Sequence, residues 1–93
     1  MKESKNKFQK QIFICCNEKE DGSGCGTIGG QILRDDLKKM VKEKGLNQEF
    51  RVVKSGCLDY CTEGITAVIY PEGKTLTEVN LMDIERLFDE LTK

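Results

Sequence analysis

The sequence predicts a single α/β domain built on a four-stranded mixed sheet. Three observations support this prediction: a short apolar run near the N-terminus, a helical apolar pattern after a glycine-rich stretch, and a Pro-Glu-Gly-Lys turn between two strand-like segments. The chain has 93 residues, which leaves room for one domain only. Domains of this size are often stabilised by an additional feature such as a metal site, and this chain has five cysteines.

The first half of the chain is predicted to form a strand, a loop and a helix. Residues 11–15 are an apolar run rich in β-branched and aromatic side chains, which is typical of a buried central strand. Residues 17–30 are rich in glycine and polar turn formers and are predicted to be a loop containing Cys25. A helix is predicted at residues 31–44, followed by Gly45 in a left-handed conformation. The predicted buried face of this helix consists of Ile32, Leu33, Leu37, Met40 and Val41.

The second half is predicted to form three strands and a second helix. The strands are predicted at residues 50–55, 66–70 and 75–79, and the last two form an antiparallel hairpin because the turn between them carries Pro71 and Gly73. Asn80 is predicted to cap the final helix, with Val79 and Ile84 in a hydrophobic staple. The predicted buried face of this helix consists of Leu81, Ile84, Leu87, Phe88 and Leu91.

The order of these elements predicts the topology of the domain. A strand-helix-strand unit gives a parallel pair with a right-handed crossover, and a cysteine loop, a hairpin and a terminal helix follow it. This is a thioredoxin-like arrangement with one helix missing. We expect residues 1–10 to be a mobile, lysine-rich N-terminal arm and residues 11–93 to be the folded domain.

Charge and composition disfavour several classes of function. The formal net charge of −1 lacks the basic excess that nucleic-acid binding requires. Because the sequence has neither an apolar run of membrane-spanning length nor the apolar core of a signal peptide, we expect a cytoplasmic protein without a membrane partner. There is no histidine, so the usual general acid–base and Cys-His chemistry is missing and enzymatic activity is not expected.

Four of the cysteines fall in two loops that each follow a predicted strand. Cys15 and Cys25 are separated by nine residues, and Cys57 and Cys61 by three. Parallel strands end at the same edge of a sheet, so the four thiolates can converge there. Four thiolates can bind either a 2Fe-2S cluster or a tetrahedral zinc ion. The wide first spacing favours the cluster, because structural zinc sites generally use tighter cysteine pairs.

The fifth cysteine, Cys16, is predicted to have a different role. In an extended segment the side chains of Cys15 and Cys16 point to opposite sides of the backbone. We therefore expect Cys16 to be a small buried side chain rather than a ligand or a redox-active thiol.

Several segments between residues 11 and 91 carry a resemblance to a known family: Ile12-Phe13-Ile14-Cys15, Cys25-Gly26, Leu33-Arg34-Asp35-Asp36-Leu37, Ser55-Gly56-Cys57-Leu58-Asp59-Tyr60-Cys61 and Tyr70-Pro71-Glu72-Gly73. On these segments the chain resembles the thioredoxin-like 2Fe-2S ferredoxins, which are related to the small cluster-bearing subunits of NADH dehydrogenases and NAD-reducing hydrogenases. The resemblance implies a 2Fe-2S cluster bound by Cys15, Cys25, Cys57 and Cys61. The chain departs from the family pattern at Gly64-Ile65, where members commonly have Gly-Pro, and at Gly73-Lys74-Thr75, where they commonly have an aromatic pair.

The function implied by this resemblance is one-electron transfer to redox partner proteins, such as a reductase or another oxidoreductase. A second copy of the chain, forming a homodimer, is a further partner to consider. Binding an anionic cluster would make the chain more negative, and on this basis we expect partners with basic docking sites. One alternative is a redox-sensing interaction module whose cluster controls binding to another protein. A second alternative is a structural zinc-binding domain.

Overall fold

In this computed structural model the described residues are 1–5, 7–16, 29–56 and 65–93. The predicted order of strands and helices is confirmed, with bounds that differ from the predicted ones by at most a few residues. The elements are β1 (Lys10–Cys15), α1 (Gln31–Glu43), β2 (Phe50–Ser55), β3 (Ile65–Tyr70), β4 (Lys74–Val79), a single 3-10 turn (Leu81–Asp83) and α2 (Ile84–Thr92). Among the described helices, neither is long and apolar enough to cross a membrane.

The four strands form one mixed sheet in the order β2-β1-β3-β4. The strand β1 is interior, as predicted, and it pairs in parallel with β2, placing Ile12 opposite Val52 and Cys15 opposite Ser55. It pairs antiparallel with β3, which in turn forms the predicted antiparallel hairpin with β4. The peptide bond between Tyr70 and Pro71, in the turn of this hairpin, is cis. The sheet is therefore the α/β mixed sheet expected for a thioredoxin-like arrangement.

Both helices cover the same face of this sheet. The buried apolar cluster contains alternate residues of the strands, such as Ile12 and Ile14 of β1, together with side chains from α1 and α2. Side chains of a strand alternate between the two faces, so the remaining residues of β1 project from the face opposite the helices. The core is thus a single layer between the sheet and the helix pair.

The structure corrects two predicted core residues. Leu33, Leu37 and Val41 of α1 are buried as predicted, but Ile32 is 55% exposed. Ile32 precedes Leu33 by one residue, which rotates it by about 100° around the helix, away from the sheet. Leu81, predicted to lie on the buried face of the second helix, is 46% exposed because it belongs to the 3-10 turn before α2.

The second helix is preceded by the cap that the sequence predicts. The side-chain Oδ1 of Asn80 accepts a hydrogen bond from the backbone N–H of Met82 at 2.9 Å, and Oδ2 of Asp83 accepts one from the backbone N–H of Asn80 at 3.1 Å. These two bonds form a capping box. The side chain of Asn80 therefore satisfies a backbone donor that would otherwise have no partner within the helix.

We expect Asn80→Ala to lower the free energy of unfolding by about 1 kcal/mol, because alanine removes the acceptor for the N–H of Met82. Urea titration followed by far-UV circular dichroism measures this change. Asn80→Asp is the matched control, since it keeps an acceptor oxygen at the same position and should retain most of the stability. Equal losses in the two variants would contradict a capping role for this side chain.

Candidate metal centre

The ends of four chain segments come together at the edge of the sheet that is formed by the carboxyl ends of the parallel strands β1 and β2. Cys15 and Ser55 end the parallel strands β1 and β2 side by side, and the backbone N–H of Cys16 donates to the carbonyl of Ser55 at 2.9 Å. The strand β3 begins at the same edge, because Ala67 lies opposite Ile14 and Ile65 is two residues closer to the edge. The strands β1 and β2 therefore end, and β3 begins, at the same edge of the sheet.

The start of α1 lies at the same edge. A Cβ atom placed on Gly29 would lie 3.6 Å from Cδ1 of Ile65 and 3.5 Å from Cδ2 of Leu81. The φ angle of Gly29 is +118°, a conformation that side-chain-bearing residues rarely adopt, so glycine is required at this entry to the helix. The helix α1 and the strand β3 therefore both start close to the edge where β1 and β2 end.

Cys15 is the one predicted ligand among the described residues. Its side chain is 1% exposed, and it belongs to the last residue of β1. Because Ile14 lies in the core beneath the helices, Cys15 projects from the opposite face of the sheet. The other three predicted ligands, Cys25, Cys57 and Cys61, lie outside the described residues.

Cys16 has surroundings that differ from those of Cys15. Its thiol is half-buried and donates a hydrogen bond to the carbonyl of Ile14, with a distance of 3.4 Å between sulfur and oxygen. Burial raises the pKa of the Cys16 thiol, and the positive charge of Arg34 partly opposes that effect. Cys16 is less buried than predicted, and its orientation opposite to Cys15 stays a prediction because it follows the last residue of β1.

A polar cluster on α1 lies close to this edge and was not predicted as part of the site. One terminal nitrogen of the Arg34 guanidinium donates to Oδ1 of Asp35 at 2.9 Å, and the side-chain amide of Gln31 donates to the same oxygen at 3.1 Å. These two hydrogen bonds lower the pKa of the Asp35 carboxyl. In sequence, the only sign of this cluster is the spacing of four between Gln31 and Asp35.

A positive charge on β2 also acts at this edge. Lys54, the residue before Ser55, lowers the pKa of Cys16 through its charge, as Arg34 does. The charges that act on Cys16, the residue after the buried Cys15, are therefore mixed: Arg34 and Lys54 are cationic, and Asp35 is anionic.

Comparisons with known proteins agree with this geometry. No protein-family model matches the chain. The chain is 27% identical over 82 residues to a 2Fe-2S ferredoxin from Clostridium pasteurianum, covering 84% of this chain and 79% of that protein. It is 22% identical over 88 residues to a 2Fe-2S ferredoxin from Aquifex aeolicus (strain VF5), covering 90% of this chain and 79% of that protein.

Solved structures show the same fold. The crystal structure of the wild-type thioredoxin-like [2Fe-2S] ferredoxin from Aquifex aeolicus matches with a TM-score of 0.80 at 21% identity, covering 89% of this chain and 84% of that chain. A second structure of a thioredoxin-like [2Fe-2S] ferredoxin from Aquifex aeolicus matches with a TM-score of 0.82, also at 21% identity, covering 92% and 82%. The thioredoxin-like fold predicted from the sequence is confirmed. The chain is thus similar in sequence to 2Fe-2S ferredoxins and similar in fold to the thioredoxin-like [2Fe-2S] ferredoxins.

Proposed function

We propose that this chain is a one-electron carrier that holds a 2Fe-2S cluster through Cys15, Cys25, Cys57 and Cys61. The observation that carries the proposal is the meeting of β1, β2, β3 and the start of α1 at one sheet edge, with the buried thiol of Cys15 on it. The relatives named 2Fe-2S ferredoxin support the nature of the cofactor. The proposed role is electron transfer to and from redox partner proteins, without catalysis of bond chemistry.

The residues present fit such a cluster. Clusters of this type are bound by four cysteine thiolates, and the chain supplies two cysteines in or beside each of the two segments that start at this edge. Cys57 follows Ser55 by two residues, Cys61 precedes Ile65 by four, and Cys25 precedes Gly29 by four. Each proposed ligand is therefore within four residues, along the chain, of a residue that lies at this edge.

The described residues around the edge would also set the electrostatics of the site. A four-thiolate 2Fe-2S cluster is an anion that accepts one electron when it is reduced. The positive charges of Arg34 and Lys54 near this edge would favour the more negative, reduced form, and the carboxylate of Asp35, which pairs with Arg34, would oppose it. The hydrogen bond from Cys16 N–H to Ser55 holds the two strand ends together beside Cys15.

Cofactor analysis of the protein purified without oxygen tests this proposal. We expect a brown protein with near two iron and two sulfide per chain, because that stoichiometry defines the cluster. Dithionite reduction should bleach the visible absorption and produce the electron paramagnetic resonance signal of a one-electron-reduced centre. Colourless protein with one zinc per chain would overturn the proposal in favour of a structural zinc site.

A kinetic measurement then separates a carrier from a redox-sensing module. A carrier exchanges electrons rapidly with a protein partner in both directions. A sensor instead changes its affinity for a partner between the oxidised and reduced states. Stopped-flow transfer rates, combined with binding measured in each redox state, therefore discriminate between these two roles.

A further inference from the structure

A groove lined by positive charges runs between α1 and the outer edge of β2. It has a volume of about 400 Å³. Its floor is apolar, with Val41, Phe50 and Val52. We call it the basic groove and define it by the five cationic side chains along it: Arg34, Lys38 and Lys42 from α1, and Arg51 and Lys54 from β2.

The charges of the basic groove are largely uncompensated within the part of the chain that the structure describes. None of the residues lining the groove there carries a carboxylate, and only Arg34 forms an ion pair, with Asp35 at 2.9 Å. Lysines elsewhere do have partners, as in the pairs Lys10–Glu72 and Lys39–Glu43. A chain with a net charge of −1 thus concentrates positive charge on one surface.

The outer edge of β2 alone does not explain this charge. Within residues 1–5, 7–16, 29–56 and 65–93, no strand pairs with the outer side of β2, and a lysine on such an edge commonly prevents unwanted strand pairing. Lys54 can serve that purpose. Lys38 and Lys42, however, come from a helix and are one turn apart on the side of α1 that faces the groove. Their alignment with Lys54 gives the groove a charge pattern that complements an acidic surface.

One end of the basic groove reaches the candidate metal centre. Lys54 immediately precedes Ser55, and Ser55 lies opposite Cys15 where the parallel strands β1 and β2 end. A protein seated in the groove would therefore lie beside the proposed cluster. Electron transfer between two proteins requires a short distance between their redox centres.

We infer that the basic groove is the docking surface for an acidic patch on the redox partner. This inference rests on the proposed function for the partner's redox role, and it replaces the expectation from net charge that partners present basic docking sites. The local field, rather than the net charge, orients a partner as it approaches. The apolar floor then provides contact area once the acidic side chains have paired with the rim.

Two charge-reversal variants with the same change in net charge test the inference. In the groove variant, Lys38→Glu and Lys42→Glu reverse two rim charges; in the control, Lys39→Glu and Lys93→Glu reverse two exposed lysines that do not line the groove. The first measurement is fluorescence anisotropy with a labelled deca-glutamate peptide at low salt. We expect about tenfold weaker binding for the groove variant, and less than twofold for the control.

The second measurement is the rate at which the dithionite-reduced protein transfers electrons to an acidic flavodoxin. We expect about tenfold slower transfer for the groove variant, with a weaker dependence on salt, and nearly unchanged transfer for the control. Equal effects of both variants on peptide binding would overturn the docking surface. Peptide binding does not require the cluster. If the protein contained no iron, only the transfer assay would fail, and that result would contradict the proposed function rather than the docking surface.

Discussion

Replacing Cys15 with alanine is expected to remove the cluster, so that iron and sulfide fall to near zero and the visible absorption is lost. Cys15 is buried at the sheet edge, with 1% of the residue exposed, so we expect no other side chain to take its place as a donor. Alanine is preferable to serine here because a serine hydroxyl can itself bind iron. Far-UV circular dichroism, recorded on the same samples, checks that the sheet and helices are retained.

Cys16→Ala is the matched control for this prediction. Cys16 is the adjacent residue, but it follows the end of β1 and its thiol donates to the carbonyl of Ile14. We expect this variant to keep its full content of iron and sulfide. Loss of iron in Cys16→Ala with retention in Cys15→Ala would move the ligand by one residue. Retention in both variants would exclude both cysteines as ligands.

The second large effect is expected in the core. Leu37 lies in α1, is fully buried and packs in the apolar cluster between the helices and the sheet. Leu37→Ala should lower the free energy of unfolding by about 3 kcal/mol, because it removes buried apolar contacts and leaves a cavity. Urea unfolding followed by far-UV circular dichroism gives the change, and a loss below about 1 kcal/mol would contradict the predicted packing.

The control for this core variant is another substitution on the same helix. Ile32→Ala removes a β-branched side chain that is 55% exposed, and alanine has the higher helix propensity. We expect its free energy of unfolding to stay within about 0.5 kcal/mol of the original protein. A loss as large as that of Leu37→Ala would show that Ile32 is buried against another part of the molecule.

The fold was largely predictable because its signals are local. The interior position of β1, the helical face of Leu33, Leu37 and Val41, and the cap at Asn80 each depend on residues a few positions apart. Such patterns specify an element before the rest of the chain is known. The order of the elements then restricted the topology to a parallel pair followed by an antiparallel hairpin.

Only the residue type of the ligands at the candidate site could be predicted from the sequence. The absence of histidine and the spacing of the cysteines pointed to thiolate ligation of a metal or cluster. The neighbours of the site could not be predicted in this way. Arg34 on α1 and Lys54 on β2 are 20 positions apart in sequence, and their shared proximity to Cys16 depends on how the helix packs on the sheet.

The sequence by itself determined the α/β class, the order of the elements and the cysteines available as ligands. Only the tertiary structure decided which apolar residues are buried, which face of β1 carries Cys15, and where positive charge collects. Ile32 and Leu81 fit an apolar pattern but are exposed, because the pattern does not specify the angle at which an element meets its neighbours. The basic groove has the same origin, since its charges come from two elements whose side chains become neighbours only when α1 packs beside β2.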